Sequence, residues 1–227
     1  MNSCNFRKST SEADYAGLRK QMVEQQLAAY GRDIRDSRVL AAMSTVPRHE
    51  FVPEPMRKYA YGDEPLSIGY GQTISQPFIV GFMTEKLDLK PGDRILEIGT
   101  GSGYQAAVLS LLVSEVYTIE ILEPLARRAE SDLKRLGYNH VKVRVGDGCG
   151  GWPEQAPFDA IIVTCAPESI PQPLVDQLKD GGRMMIPVGP QGVPQQLFLL
   201  EKQGDVIEQK AVLPVRFVPM TRKRGGE

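Results

Sequence analysis

The residues best placed to do chemistry stand in one run, Glu97-Ile98-Gly99-Thr100-Gly101-Ser102-Gly103. The run lies between a strand-like stretch and a helical one, where an open α/β sheet binds ligands beyond the carboxyl ends of its strands. Glycines there let the chain turn tightly and let a ligand approach the backbone. Free amides at the start of the following helix are then expected to hold an anionic group. The spacing departs from the dinucleotide fingerprint Gly-x-Gly-x-x-Gly. The third glycine comes one position early and Tyr104 occupies its place, so a dinucleotide pyrophosphate would be less well served. Glu120 ends the next strand, where a carboxylate can accept hydrogen bonds from both hydroxyls of a ribose. That calls for a nucleoside but not for a nicotinamide. Asp147-Gly148 closes the third strand, and Asp147 can accept from the exocyclic amine of a purine. The glycine turn alone also fits a generic turn with a solvated Glu120 and a structural Asp147. The argument for a nucleoside site rests on all three in order.

That order resembles the S-adenosylmethionine-dependent methyltransferases. A second stretch is more specific. Ile68-Gly69-Tyr70-Gly71-Gln72-Thr73-Ile74-Ser75-Gln76-Pro77 closely resembles the signature of the protein-L-isoaspartate O-methyltransferase family. Val46-Pro47-Arg48-His49-Glu50-Phe51-Val52-Pro53, Phe158-Asp159-Ala160-Ile161, Leu178-Lys179-Asp180-Gly181-Gly182-Arg183 and Val215-Arg216-Phe217-Val218-Pro219-Met220-Thr221 agree with it. The resemblance runs from about residue 18 to 222. It implies a Rossmann-like fold and the transfer of a methyl group from S-adenosyl-L-methionine to the free α-carboxyl of L-isoaspartyl residues in damaged proteins and peptides, leaving S-adenosyl-L-homocysteine. The ester then closes spontaneously to a succinimide, whose hydrolysis returns some normal aspartyl linkage. The resemblance also implies roles. Ser75 matches the active-site serine, and Gln72, Thr73 and Ile74 match positions lining the cofactor's methionine end. Gly99, Gly101 and Gly103 match the cofactor turn, Glu120 the ribose contact, Asp147 and Gly148 the adenine contact, and Thr221 a late threonine that reaches back to the site. Val80 departs from relatives that carry histidine there and is given no polar role.

The residue inventory suits that chemistry. A carboxylate nucleophile, with a reference pKa near ~4, is already ionised at neutral pH and needs no general base. A sulfonium carries its own leaving group. The protein has to align oxygen, methyl carbon and sulfur and exclude water, and positioning alone can be worth roughly 7–11 kcal/mol. Neutral donors such as the Ser75 hydroxyl serve better than a cation clamp, which would blunt the nucleophile. On spacing alone a serine before Gln-Pro is an ordinary turn residue or helix cap.

Around these residues the elements read as follows. Residues 1–10 read as a disordered lead, and 11–227 as a single methyltransferase domain, with 11–77 supplying helices and a covering loop and 78–227 the cofactor-binding core. Ser11 and Asp14 resemble a capping box for a helix over about 12–30 stopped by Gly31, and a second helix is expected over about 36–45. Prolines and glycines make 47–77 irregular. Pro77 suits the first turn of a helix that Lys90-Pro91-Gly92 ends. Strands are expected at 94–98, 116–120, 141–145, 158–163 and 183–188, with helices near 103–113 and 123–136. Strands alternating with helices indicate a parallel sheet. A hairpin, 196–202 with 206–213 about Gln203-Gly204-Asp205, adds antiparallel strands at its end. The fold class is thus α/β, a mostly parallel seven-stranded sheet with an antiparallel end.

Composition sets the outer bounds. The chain has 227 residues, 41% hydrophobic and 24% charged, which argues against wholesale disorder, collagen or coiled coil. Lysine plus arginine number 27 against 28 acidic residues, a net charge of −1, so bulk charge does not suit it to grip nucleic acid. Cys4, Cys149 and Cys165 make no Cys-x-x-Cys, and with only His49 and His140 besides, neither a disulfide framework nor a zinc site is expected. His49, among prolines, is not placed as a base; His140 reads as a surface loop residue and Trp152 as packing. No run of about 18 apolar residues occurs. The reading is of a soluble, cytoplasmic monomer that meets no membrane.

Overall fold

The structure is a computed structural model that describes residues 11–29, 31–32 and 34–222. The lead expected over 1–10 lies outside the described residues. Helix α1 (Glu12–Met22) begins on the expected capping box: Ser11 Oγ accepts from the Asp14 amide at 3.2 Å, and Asp14 Oδ2 accepts from the Ser11 amide at 2.9 Å. It continues as a π-helical stretch, Val23–Leu27, so the expected single helix to about 30 is in fact two forms in series. Helix α2 (Ser37–Thr45) starts where Asp36 caps the Arg38 amide. The segment read as irregular holds more order than its prolines suggest. It contains 3₁₀ turns at Arg48–Phe51 and Glu54–Tyr59, then a two-stranded antiparallel hairpin of β1 (Leu66–Gly69) and β2 (Gln72–Ile74). The hairpin turns through Gly69, Tyr70 and Gly71, all at positive φ.

Helix α3 (Pro77–Lys86) opens on Pro77 as expected. The alternating units follow: β3 (Arg94–Ile98), α4 (Tyr104–Ser110), β4 (Glu115–Glu120), α5 (Glu123–Arg135), β5 (Val141–Val145), β6 (Phe158–Val163), a short α6 (Gln172–Asp176), β7 (Leu178–Val188), β8 (Gln195–Gln203) and β9 (Val206–Val215). The seven-stranded sheet runs β5-β4-β3-β6-β7-β8-β9, parallel through β7 and antiparallel for the last two pairings. The expected α/β architecture is present. Its central strands are apolar on both faces because helices cover both. Ile95, Val116 and Ile162 join the core under α1–α4, and Leu96, Tyr117 and Ile161 the core on the other side. Met22, Leu27, Val39 and Met43 belong to the first of these cores, so the amino-terminal helices share the sheet's interior.

The chain leaves β3 toward β4 and β5 on one side and returns to β6 on the other. That reversal opens a crevice at the carboxyl ends of β3 and β6. Gly103 helps to set it. It caps α4 with φ +88, and a Cβ there would lie 3.3 Å from Ala129 and Leu133 of α5. Gly103→Ala is therefore expected to cost about 1–3 kcal/mol of stability through backbone strain and crowding. Urea unfolding checks this; an unshifted midpoint contradicts it.

Candidate active site

The crevice is a cleft enclosing about 770 Å³ out to its mouth. Four strand ends feed it: Gly99 to Ser102 after β3, Glu120 at the end of β4, Gly148 beyond β5, and Thr164 and Cys165 after β6. Gln72 to Ser75 of the hairpin and Val218 to Thr221 of the tail close it. The structure therefore brings together Gln72, Thr73, Ile74, Ser75, Gly99, Gly101, Glu120, Gly148 and Thr221 from the sequence reading. Val80 stands in its wall, buried and apolar. Gly103 and Asp147 do not line it. Gly103 packs against α5, and Asp147 Oδ1 caps the 3₁₀ turn Gly148–Gly150 by accepting from the Cys149 amide at 2.9 Å.

Most amides of the glycine turn itself are engaged within the protein. The amides of Gly99 and Thr100 donate to Ile119 O at 2.9 and 3.2 Å, and that of Gly103 to Thr100 O at 2.8 Å. The Gly101 amide donates to Glu120 Oε2 at 2.9 Å, while the Leu122 amide donates to Oε1 at 3.0 Å. The turn is folded back onto β4, and its Gly101 amide, with that of Leu122, holds Glu120. Each Glu120 oxygen keeps lone-pair capacity beyond its one amide, enough for two further donors such as vicinal hydroxyls. Gly99 sits at φ +99 where a Cβ would lie 2.5 Å from the Thr164 hydroxyl, so only glycine lets β3 and β6 close the cleft's floor.

The motif by itself assigns Glu97 no role, and its surroundings in the structure give it one. It lies in register between Thr118 and Ile162, is wholly buried, and lines the cleft. Neither carboxylate oxygen has a hydrogen-bond partner among the described residues. Burial pushes its pKa up to about 8, more than the neighbouring Thr118 hydroxyl offsets, and the Glu120 charge adds to the rise. A buried polar group without partners is costly. A cationic donor in the cleft would remove that cost. The signal in the sequence was a lone acid inside an otherwise apolar parallel strand. Among the described residues Glu97 and Glu120 are the only acids lining the cleft, and no lysine or arginine joins them. A phosphate would be repelled there; a cation bearing hydroxyls fits.

Ser75 is held through its backbone. The Arg48 guanidinium, fully buried, donates from Nη2 to Ser75 O at 2.7 Å and from Nε to Ala60 O at 2.8 Å, and lies 4.9 Å over the Tyr104 ring. Burial lowers its pKa to about 10, so it remains charged at neutral pH. The hairpin's other end is held by Arg128, which donates to Ile68 O at 2.7 Å. The Ser75 hydroxyl makes no hydrogen bond with another described residue and is left to donate. Ser75 also borders a second depression beside the cleft, as do Thr73, Thr164 and Val218.

The remaining candidates fall elsewhere. His49 is buried, stacked on Tyr15 at 3.7 Å and bonded through Nδ1 to the Tyr61 hydroxyl at 2.8 Å, a packing role away from the cleft. His140 is exposed with Nε2 2.9 Å from Ser110 O, and Trp152 packs edge-on to Tyr117 at 5.4 Å. Burial, reinforced by Glu120, pushes the Cys165 thiol well above its ordinary pKa, which keeps it from acting as a nucleophile. No group of metal-ligating side chains occurs among the described residues.

Comparison with known proteins agrees with this geometry. The pattern of the family described as Protein-L-isoaspartate(D-aspartate) O-methyltransferase (PCMT) matches residues 18–225. The chain belongs to this family. It is 57% identical over 206 residues to a protein-L-isoaspartate O-methyltransferase of Opitutus terrae, covering 91% of this chain and 88% of that one. It is 56% identical over 207 residues to that of Gloeobacter violaceus, covering 91% and 100%. A solved protein-L-isoaspartate O-methyltransferase superposes with a TM-score of 0.79 at 32% identity, covering 91% of this chain and 66% of that chain. A putative member from Plasmodium falciparum, in complex with S-adenosyl-L-homocysteine, superposes with a TM-score of 0.78 at 26% identity, covering 90% and 99%.

Proposed function

We propose that the protein methylates the free α-carboxyl of L-isoaspartyl residues in damaged proteins and peptides, using S-adenosyl-L-methionine and beginning repair through the ester and its succinimide. Family membership gives the reaction. The observation that carries the site assignment is that a cleft whose acids are Glu97 and Glu120, with no basic side chain among its described lining, meets a second depression at Thr73, Ser75, Thr164 and Val218. The cofactor supplies a methyl group on a sulfonium, together with an ammonium and a ribose. Its chemistry fits the donor set: Glu120 has acceptor capacity for the ribose hydroxyls, and Glu97 can receive the ammonium. Gln72, Thr73, Ile74, Gly99, Gly101, Gly148 and Thr221 line the remainder of the cleft. Asp147 would reach the adenine only with the oxygen that its capping bond leaves over.

Ser75 donates its hydroxyl to the acceptor carboxylate and fixes the attacking oxygen, and the closed cleft excludes water. No residue has to move a proton, because the nucleophile is already an anion. Residues 11–227 serve as one domain, supported by the core that the amino-terminal helices share with the sheet. We take the enzyme to act in the cytoplasm as a monomer, on polypeptides and not on nucleic acid. The balanced net charge of −1 supports this, and no helix among the described residues is long and apolar enough to cross a membrane.

Labelled methyl transfer to a synthetic isoaspartyl peptide, beside its normal aspartyl counterpart, tests the reading. Base-labile label is expected in the first alone; label in neither, or equally in both, refutes it. In the same assay Ser75→Ala is expected to lower kcat/KM about 10- to 100-fold, the worth of a hydrogen bond to a charged group. S-adenosyl-L-homocysteine affinity should change less than about threefold, and an unaltered kcat/KM removes Ser75 from the mechanism. Glu97 gives a pH signature. With its pKa raised to about 8, cofactor binding below that pH must first remove its proton. Affinity for S-adenosyl-L-homocysteine is therefore expected to rise between pH 6 and 7.5 by up to about tenfold per pH unit. Calorimetry of wild type and Glu97→Gln checks this; a flat wild-type profile, or an equal slope in the variant, contradicts it.

A further inference from the structure

The depression beside the cleft is walled by Pro65, Ile79, Pro194, Pro214 and Phe217 and encloses about 1000 Å³ out to its mouth. It is a groove of extended, proline-rich edges, suited to an extended chain more than to a compact ligand. Arg216 is the only charged side chain among the residues that line it. Several other arginines are engaged. Arg48 and Arg128 hold carbonyls, and Arg183 pairs with Glu201 at 2.9 Å. Arg216 is exposed and makes no ion pair or hydrogen bond with another described residue. Its backbone is nevertheless tied on the following side. The Phe217 amide donates to Gln195 Oε1 at 2.9 Å, and Val218 O accepts from the Ala166 amide at 2.8 Å. A fixed segment thus presents a guanidinium, unpaired among the described residues, along a groove that leads to Ser75.

We propose, resting on the methyl-transfer reading above, that this groove takes the polypeptide flanking the isoaspartyl residue and that Arg216 favours acceptors with an acidic side chain beside the damaged position. Arg216 lines the groove and not the cleft, so it acts on the flank and leaves the reacting carboxylate to neutral donors. A guanidinium gripping that carboxylate would hold down its nucleophilicity. On the flank the same charge steers and retains an anionic chain at no cost to the reaction.

The test uses the full-length enzyme and isoaspartyl peptides that differ only in carrying Glu, Ala or Lys at each of the two positions on either side of the isoaspartyl residue. At one or more of these positions, wild-type kcat/KM is expected to fall in the order Glu, Ala, Lys, by roughly two- to fivefold per step, the range of exposed ion pairs. The order should flatten in high salt. Arg216→Gln should bring the three within about twofold while leaving the Ala peptide within twofold of wild type, and Arg216→Glu should reverse the order. An unchanged Glu-to-Lys ratio in Arg216→Gln overturns the proposal. Loss of activity on every peptide, the Ala peptide included, also overturns it, because Arg216 would then hold the reacting group. Wild-type failure on all isoaspartyl peptides would instead overturn the functional reading beneath it, and this proposal with it.

Discussion

Much of the site depends on one buried cation. Arg48 brings a charge into the interior with no carboxylate in direct contact, an arrangement that burial alone strongly disfavours. Two backbone carbonyls and an aromatic face offset part of that cost, while Nη1 has no hydrogen-bond partner among the described residues. Those partners come from three separate parts of the chain. Ala60 ends a 3₁₀ turn, Ser75 follows the hairpin, and Tyr104 opens the helix behind the glycine turn. One guanidinium thereby ties the segment Gln72 to Ser75, the proposed acceptor loop, to the helix behind the glycine turn. Arg's planar fork suits this, since several donors leave one rigid group in set directions. Asp63 reinforces the result by accepting from Gln76 Nε2 at 2.9 Å and from the Phe78 amide at 3.0 Å, so the helix after Ser75 starts from a fixed point.

The second organising feature is the separation of charge. The cleft holds acids only and the groove a cation only, with hydroxyl-bearing residues where they meet. On the function proposed here, a cationic cofactor and an anionic acceptor would be sorted before they react. Neither chamber neutralises the group that must react within it. Glu120 stays ordered because the Gly101 and Leu122 amides donate to it, and Glu97 has no hydrogen-bond partner among the described residues. The turn that in a dinucleotide fold would cradle a phosphate here serves as scaffold for a carboxylate.

The sheet was legible in the residues because its strands are apolar runs punctuated by glycine, proline and acidic turns. Strands 94–98, 141–145 and 158–163 emerge at the expected boundaries. The hairpin Leu66–Ile74 was not, because strands of four and three residues joined through three positive-φ positions carry no periodicity. α6 escaped for a related reason, being five residues long and beginning after Pro171. In the site, Ser75, Glu120 and the glycines could be read from motif and place. Arg48 could not: its acceptors are carbonyls 12 and 27 residues away, and a backbone acceptor leaves no mark on residue type. Gly103 and Asp147 show the converse. Their positions in the motif are right, yet what the structure shows them doing is packing and capping.

Hydrogen exchange of the ligand-free protein, comparing wild type with Arg48→Lys, tests the central claim most directly. Lysine keeps the buried charge but cannot reach both carbonyls in the same geometry. If Arg48 fixes the acceptor loop, amides of Gln72 to Ser75 should exchange at least about tenfold faster in the variant, while those of β3, β4 and β6 keep their protection. Equal protection of the loop in both proteins would contradict the account.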